Sequence, residues 1–172
     1  IIQGRDRMAA RLKVITKLQQ GRNAVRRGIL EPLNLLTDLV FGGVLERFPR
    51  LRFVLAEYDV SWLHPFISKM DGTLQRARSE SPDSPTVSAL PSEYIRRQVY
   101  ITFQEDRIGV LGAEVFNMID NYMWASDYPH GGSTWPRSRD AVARQFKGVS
   151  ESIERKLTWD NAAKFYGVQS QA

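Results

Sequence analysis

The sequence predicts an α/β fold in which three parallel strands alternate with helices. Residues 51–56 (LRFVLA), 99–103 (VYITF) and 122–126 (YMWAS) are short apolar or β-branched and aromatic runs, as expected of strands covered on both faces. Each run ends in polar residues: Glu57-Tyr58-Asp59, Gln104-Glu105-Asp106 and Asp127-Tyr128-Pro129-His130. Segments of helical period separate the runs, so right-handed crossovers and a parallel sheet follow, with chemistry at the C-terminal ends of the strands. Glu57, Gln104 and Asp127 are accordingly expected on one rim.

The remaining elements follow in order. Met8, Leu12, Ile15 and Leu18 recur at helical spacing, which predicts a helix over residues 6–20 that Gly21 stops. Pro32 can open a second helix, with Leu35, Leu36, Leu39, Val40 and Leu45 as its apolar face and an end near Phe48-Pro49. Residues 62–76 read as helical, whereas 79–92 is rich in Ser and Pro and reads as an exposed loop. Helices are expected over 108–119, 137–146 and 150–157, and a closing one over 161–166.

At 172 residues and 42% hydrophobic, the chain can bury the core of one ordinary domain, so residues 1–172 read as one domain or part of one. Cysteine is absent, which removes thiol nucleophiles, thiolate metal sites and disulfides, and fits a cytoplasmic location. No apolar run approaches the roughly 18 residues that a membrane span needs. The opening Ile1-Ile2-Gln3-Gly4 has neither an initiator Met nor a signal pattern and reads as a cut. The net charge of +5 raises a nucleic-acid reading, carried by Arg5, Arg7, Arg11, Arg22, Arg26 and Arg27. No aromatic residue interleaves with these arginines to stack bases, so a solvated helix face is expected, with neither nucleic acid nor membrane as partner.

Asp127 carries the densest chemical signal. Along Trp124-Ala125-Ser126-Asp127 the side chains alternate, so Asp127 shares a face with Ala125 and diverges from Ser126. The small Ala125 leaves space beneath a carboxylate that must be paired, protonated or metal-bound. An N-capping Asp is the competing account. A Ser126-Asp127-His130 triad is disfavoured, because adjacent strand residues diverge and no GxSxG elbow is present. His130 is expected to orient a ligand of the site, or else to lie on the surface. His64, in Trp62-Leu63-His64-Pro65, reads as a helix-start histidine.

Several stretches resemble the second amidohydrolase family, which comprises metal-dependent hydrolases and decarboxylases of the aminocarboxymuconate-semialdehyde type. They are Phe41-Gly42-Gly43-Val44-Leu45-Glu46-Arg47-Phe48-Pro49, Leu55-Ala56-Glu57, Thr102-Phe103-Gln104-Glu105-Asp106, Met123 to His130 with Ser133-Thr134-Trp135-Pro136, and Asn161 to Gly167. The resemblance implies the C-terminal portion of a (β/α)8 TIM barrel, with the three strands as strands six to eight. It implies that Asp127 binds a divalent metal, expected to be zinc, and handles the proton of its bound water. Glu57 stands where the decarboxylase branch has a catalytic histidine, and becomes a general acid or base if burial raises its pKa; an arginine salt bridge is the alternative.

The family's His-x-His pair on strand one and its strand-five histidine have no counterpart here, so this chain alone is expected to bind metal weakly or not at all unless the missing part is supplied. The implied function is hydrolysis or decarboxylation of a small organic acid or cyclic substrate. The alternative is a catalytically inactive barrel-derived interaction module. A partial barrel leaves strand edges and helix faces uncovered, so the chain alone is expected to be inactive and to associate, as a homo-oligomer or with the missing part.

Overall fold

A computed structural model describes residues 2–83 and 87–169, without the side chains of residues 2–18 and 24. The expected apolar stripe Met8, Leu12, Ile15 and Leu18 therefore lies outside the described side chains, and residues 84–86 of the Ser/Pro loop outside the described backbone.

The chain is an α/β unit built on one sheet of order β1-β2-β3, comprising β1 (Phe53–Leu55), β2 (Val99–Phe103) and β3 (Tyr122–Trp124). Both pairings are parallel, with Phe53 opposite Val99, Ile101 opposite Tyr122 and Phe103 opposite Trp124. The outer two strands are shorter than expected. At the start of β1, Leu51 N donates to Phe48 O at 2.9 Å in a turn, which removes residues 51 and 52 from the ladder. At the ends, Glu57 and Asp127 take φ of 68° and 60°, and this left-handed backbone turns the chain out of extended geometry.

One 40-residue helix, α1 (Ile2–Phe41), replaces the two helices expected before the sheet. Gly21 does not stop it: a helical glycine costs only about 1 kcal/mol relative to Ala, and nothing here adds a cap to that penalty. Pro32 lies inside the helix instead of opening one, giving up a single backbone donor. Among its described side chains, Pro32, Leu36 and Val40, at helical spacing, are the buried ones. A short α2 (Val44–Arg47) follows.

After β1 come α3 (Leu63–Glu80) and α4 (Pro91–Gln98). The second was not anticipated and replaces the end of the expected loop. Its signal was present: Pro91 at the first helical position and Glu93 two residues later, whose Oε1 accepts from Leu90 N at 3.2 Å. Next, α5 (Arg107–Val115) separates β2 from β3, ending earlier than expected. The chain closes with α6 (Ser138–Gln145), α7 (Glu151–Arg155), a π-helical turn (Lys156–Asp160) and α8 (Asn161–Tyr166).

Alternation along the strands divides the sheet into two faces. Leu55, Val99, Ile101, Phe103 and Tyr122 are buried in one cluster with Leu63, Ile67, Met70 and Leu74 of α3 and Val110 and Ala113 of α5. On the opposite face Tyr100 packs on Phe165 of α8, ring centroids 4.7 Å apart, and Thr102 and Ala125 are only half-buried. Asn161 ties the closing helix to β3 by donating to Ile119 O (2.7 Å) and Tyr122 O (2.8 Å). Among the described residues no helix is long and apolar enough to cross a membrane.

Candidate functional site

The half-buried face of the sheet leads into a cavity of about 330 Å³ at the strands' C-terminal ends, lined by Ala56, Glu57, Asp59, Thr102, Phe103, Gln104, Ala125 and Asp127. Its rim is stitched across all three strands. Glu57 N donates to Thr102 Oγ1 (2.9 Å), Gln104 N to Asp59 Oδ1 (3.1 Å), and Ala125 N to Phe103 O (2.9 Å). The loop after β3 folds back: Ser133 Oγ (2.8 Å) and Thr134 N (3.0 Å) donate to Ser126 O, and Gln104 Nε2 donates to Gly132 O at 2.6 Å. Three acidic residues of this rim, Glu57, Asp59 and Asp127, have left-handed backbones, with φ between 52° and 68°. For an L-residue that conformation costs on the order of 1 kcal/mol, and such strain gathers at functional sites.

Glu57, Asp127 and His130 converge: one potential ligand atom from each lies within 4.8 Å of the other two. His130 Nδ1 is 2.7 Å from Asp127 Oδ1 and 3.9 Å from Glu57 Oε1. The hydrogen bond that His130 Nδ1 donates to Asp127, the Asp127 charge and that of Glu57 raise the His130 pKa above the usual 6.5. Gln104 sits between the two carboxylates on the central strand, as the strand order requires.

Two expectations are corrected here. Glu57 is not a buried acid, since 64% of its side chain is exposed, and its charged neighbour is His130, not an arginine. Asp127 is no helix cap either: its carboxylate meets His130, while α6 begins ten residues further on at Ser138 after Arg137. Ser126 Oγ accepts from Tyr128 N at 3.4 Å, away from the Asp127–His130 pair, so no triad forms among the described residues. His64 stands at the start of α3, buried, with its ring stacked on Phe116 at 4.1 Å and its Nε2 3.3 Å from the Tyr122 hydroxyl. Burial holds its pKa below 6.5 and pushes the Tyr122 phenol up.

Asp59 was missed in the sequence. It is an exposed residue of the cavity wall, yet desolvation there raises its pKa, opposed by the Gln104 N–H and helped by the charge of Asp106. Its position two residues beyond Glu57 was the available signal. From sequence Asp106 is only one of the polar residues after β2, yet its buried carboxylate holds three backbone donors. Oδ2 accepts from Val60 N (2.8 Å) and Ser61 N (2.6 Å), and Oδ1 accepts from Gly109 N (2.9 Å), capping α5.

The donors of the rim suit a divalent cation. Two carboxylates and an imidazole form an oxygen-rich set, open on the solvent side, with no thiolate.

The sequence matches the model of the Amidohydrolase family over residues 9–168. No curated protein matches it significantly. Among solved structures, it is similar to an amidohydrolase from Mycobacterium avium subsp. paratuberculosis K-10, at 26% identity and a TM-score of 0.63, over 81% of this chain and 34% of that one. The 5-carboxyvanillate decarboxylase of Sphingomonas paucimobilis shares the fold at 23% identity and a TM-score of 0.66, covering 83% of this chain and 41% of that one. A dihydroxybenzoic acid decarboxylase from Polaromonas sp. JS666, which contains bound manganese, does so at 17% identity and a TM-score of 0.59, over 84% and 40%. The chain thus spans 34% to 41% of the length of these structures, and its three strands are a portion of their barrel.

Proposed function

This chain belongs to the amidohydrolase family, and on that premise we propose that Asp127 is the metal-binding and proton-handling carboxylate of a metal-dependent enzyme that hydrolyses or decarboxylates a small organic acid or cyclic substrate. The observation that carries this is the convergence of Glu57, Asp127 and His130 within 4.8 Å at the rim of the cavity. Asp127, with 22% of its side chain exposed, is the most enclosed of the three and is the principal oxygen donor. Glu57 supplies a second oxygen from the opposite edge strand. A bound divalent cation would supply Lewis acidity and lower the pKa of a coordinated water.

The chain's own residues do the rest. Asp127 accepts a proton or hydrogen bond at Oδ1, where His130 Nδ1 now sits, and the His130 ring holds that carboxylate in place. Glu57, 64% exposed in side chain, is the candidate general acid or base at the rim. Zinc remains the cation suggested by the family resemblance, while the manganese in a structural relative and the oxygen-rich donors support manganese as well. We also assign a homo-oligomeric state. Ile108, Leu111 and Val115, at helical spacing on α5, are 74%, 50% and 80% exposed and offer an apolar contact stripe.

Calorimetric titration of the full-length protein with manganese and with zinc tests the site. Binding that is lost in Asp127→Asn and weakened in Glu57→Gln is expected; binding indifferent to Asp127→Asn would remove the proposal. Assays of the full-length protein against a panel of carboxylic acids and lactones then separate decarboxylation from hydrolysis by the product released.

A further inference from the structure

The loop of residues 126–134 carries both Asp127 and His130, and its hydrogen bonds are made largely within itself. His130 N donates to Asp127 O (2.9 Å), Ser133 N to His130 O (3.0 Å), and Thr134 N and Ser133 Oγ to Ser126 O (3.0 and 2.8 Å). Those bonds give the loop a shape but do not fix where it sits on the sheet. Among the described residues, the hydrogen bond that fixes it comes from the central strand. Gln104 Nε2 donates to Gly132 O at 2.6 Å and reaches toward Ser126 O at 3.5 Å. Gly132 lies against the site in turn, since a Cβ built on it would stand 3.8 Å from Asp127 Oδ2. Gln104 is itself anchored at its base: its N donates to Asp59 Oδ1 (3.1 Å), and its O accepts from Trp124 Nε1 (3.0 Å) and Gln145 Nε2 (2.9 Å). The clamp bears on a strained residue, because the left-handed backbone of Asp127 (φ 60°) persists only where its surroundings over-determine it. Both groups that Nε2 faces are carbonyl oxygens, so the side chain there has to be a donor. A glutamate of the same shape would set acceptor against acceptor.

We propose that Gln104 is a positioning residue: by donating to Gly132 O it holds the loop of residues 126–134 on the sheet and so keeps the Asp127 carboxylate at the cavity. This rests on the reading of that rim as a cation site. The test uses the full-length protein and two variants, Gln104→Leu, which removes the donor, and Gln104→Glu, which keeps the size and removes it too. Hydrogen exchange read by mass spectrometry should show peptides over residues 126–134 exchanging on the order of 3–10-fold faster in both variants, the scale of one lost hydrogen bond. Manganese titration should show affinity weakened on the order of 10-fold in Gln104→Leu, as expected when a group that orients a ligand is removed. Exchange over β2 and the melting midpoint should stay at wild-type values. Loop protection unchanged in Gln104→Leu, or restored in Gln104→Glu, overturns the proposal. So does a loosened loop with undiminished manganese affinity, which would make the bond a structural tie only. Protection lost from β2 as much as from the loop overturns it as well, since Gln104 would then support the sheet. A wild-type protein that binds no manganese removes the cation reading instead, and the clamp is then decided by the exchange of the loop alone.

Discussion

Replacing Asp106 with Ala should be strongly destabilising. The carboxylate is 8% exposed and accepts from three backbone N–H groups. Loss of the α5 cap at Gly109 costs about 1 kcal/mol. Val60 is fully buried, so its orphaned N–H costs a further 2–3 kcal/mol or so, and the less buried Ser61, which water can reach, about 1. The whole is about 4–5 kcal/mol, a large part of the roughly 5–15 kcal/mol that holds a domain together. Asp106→Asn keeps one oxygen, which can turn toward Val60 and Ser61 and lose only the cap, so about 1–2 kcal/mol is expected. Urea unfolding followed by circular dichroism gives both values. An Asp106→Ala chain within about 1 kcal/mol of wild type would refute the reasoning, because its three donors would then have to be satisfied some other way.

Three further outcomes are expected. Asp127→Asn in the full-length enzyme should nearly abolish turnover at equal metal occupancy, whereas His130→Ala should lose on the order of 10–100-fold in activity or metal affinity, as kinetics and metal titration will show. Burial holds the folded pKa of His64 below its usual 6.5, so the stability this group contributes is complete above 6.5 and is lost as the pH falls through the folded value; unfolding free energies at stepped pH should show that slope, and His64→Gln should flatten it. Gly109→Ala should destabilise strongly, since its new methyl would overlap the Val60 side chain and lie 3.0 Å from Asp106 Oδ2; an unchanged thermal midpoint would show that α5 can move away.

The sheet was legible because its strands are apolar on both sides: Val99, Ile101 and Phe103 lie in the core, and Tyr100 and Thr102 on the other face still favour extended backbone. The rim followed from it, since parallel strands put Glu57, Gln104 and Asp127 at one end whatever the helices do. The helix boundaries before β1 were not legible, because Gly21 and Pro32 are only local penalties and a long run of good helix formers outweighs them. Nor was the partnering of Asp106. Two of its three donors come from Val60 and Ser61, about 45 residues away, and no local pattern records a contact made by a crossover connection.

The left-handed backbone at Glu57 sets stability against chemistry. Its side chain contributes little to the fold, being mostly exposed, yet its φ of 68° is one that glycine adopts freely. A library of variants screened only for heat resistance would therefore enrich Glu57→Gly, gaining up to about 1 kcal/mol while discarding a carboxylate of the rim. Thermostable descendants of this protein obtained without an activity screen should be sequenced at that codon first.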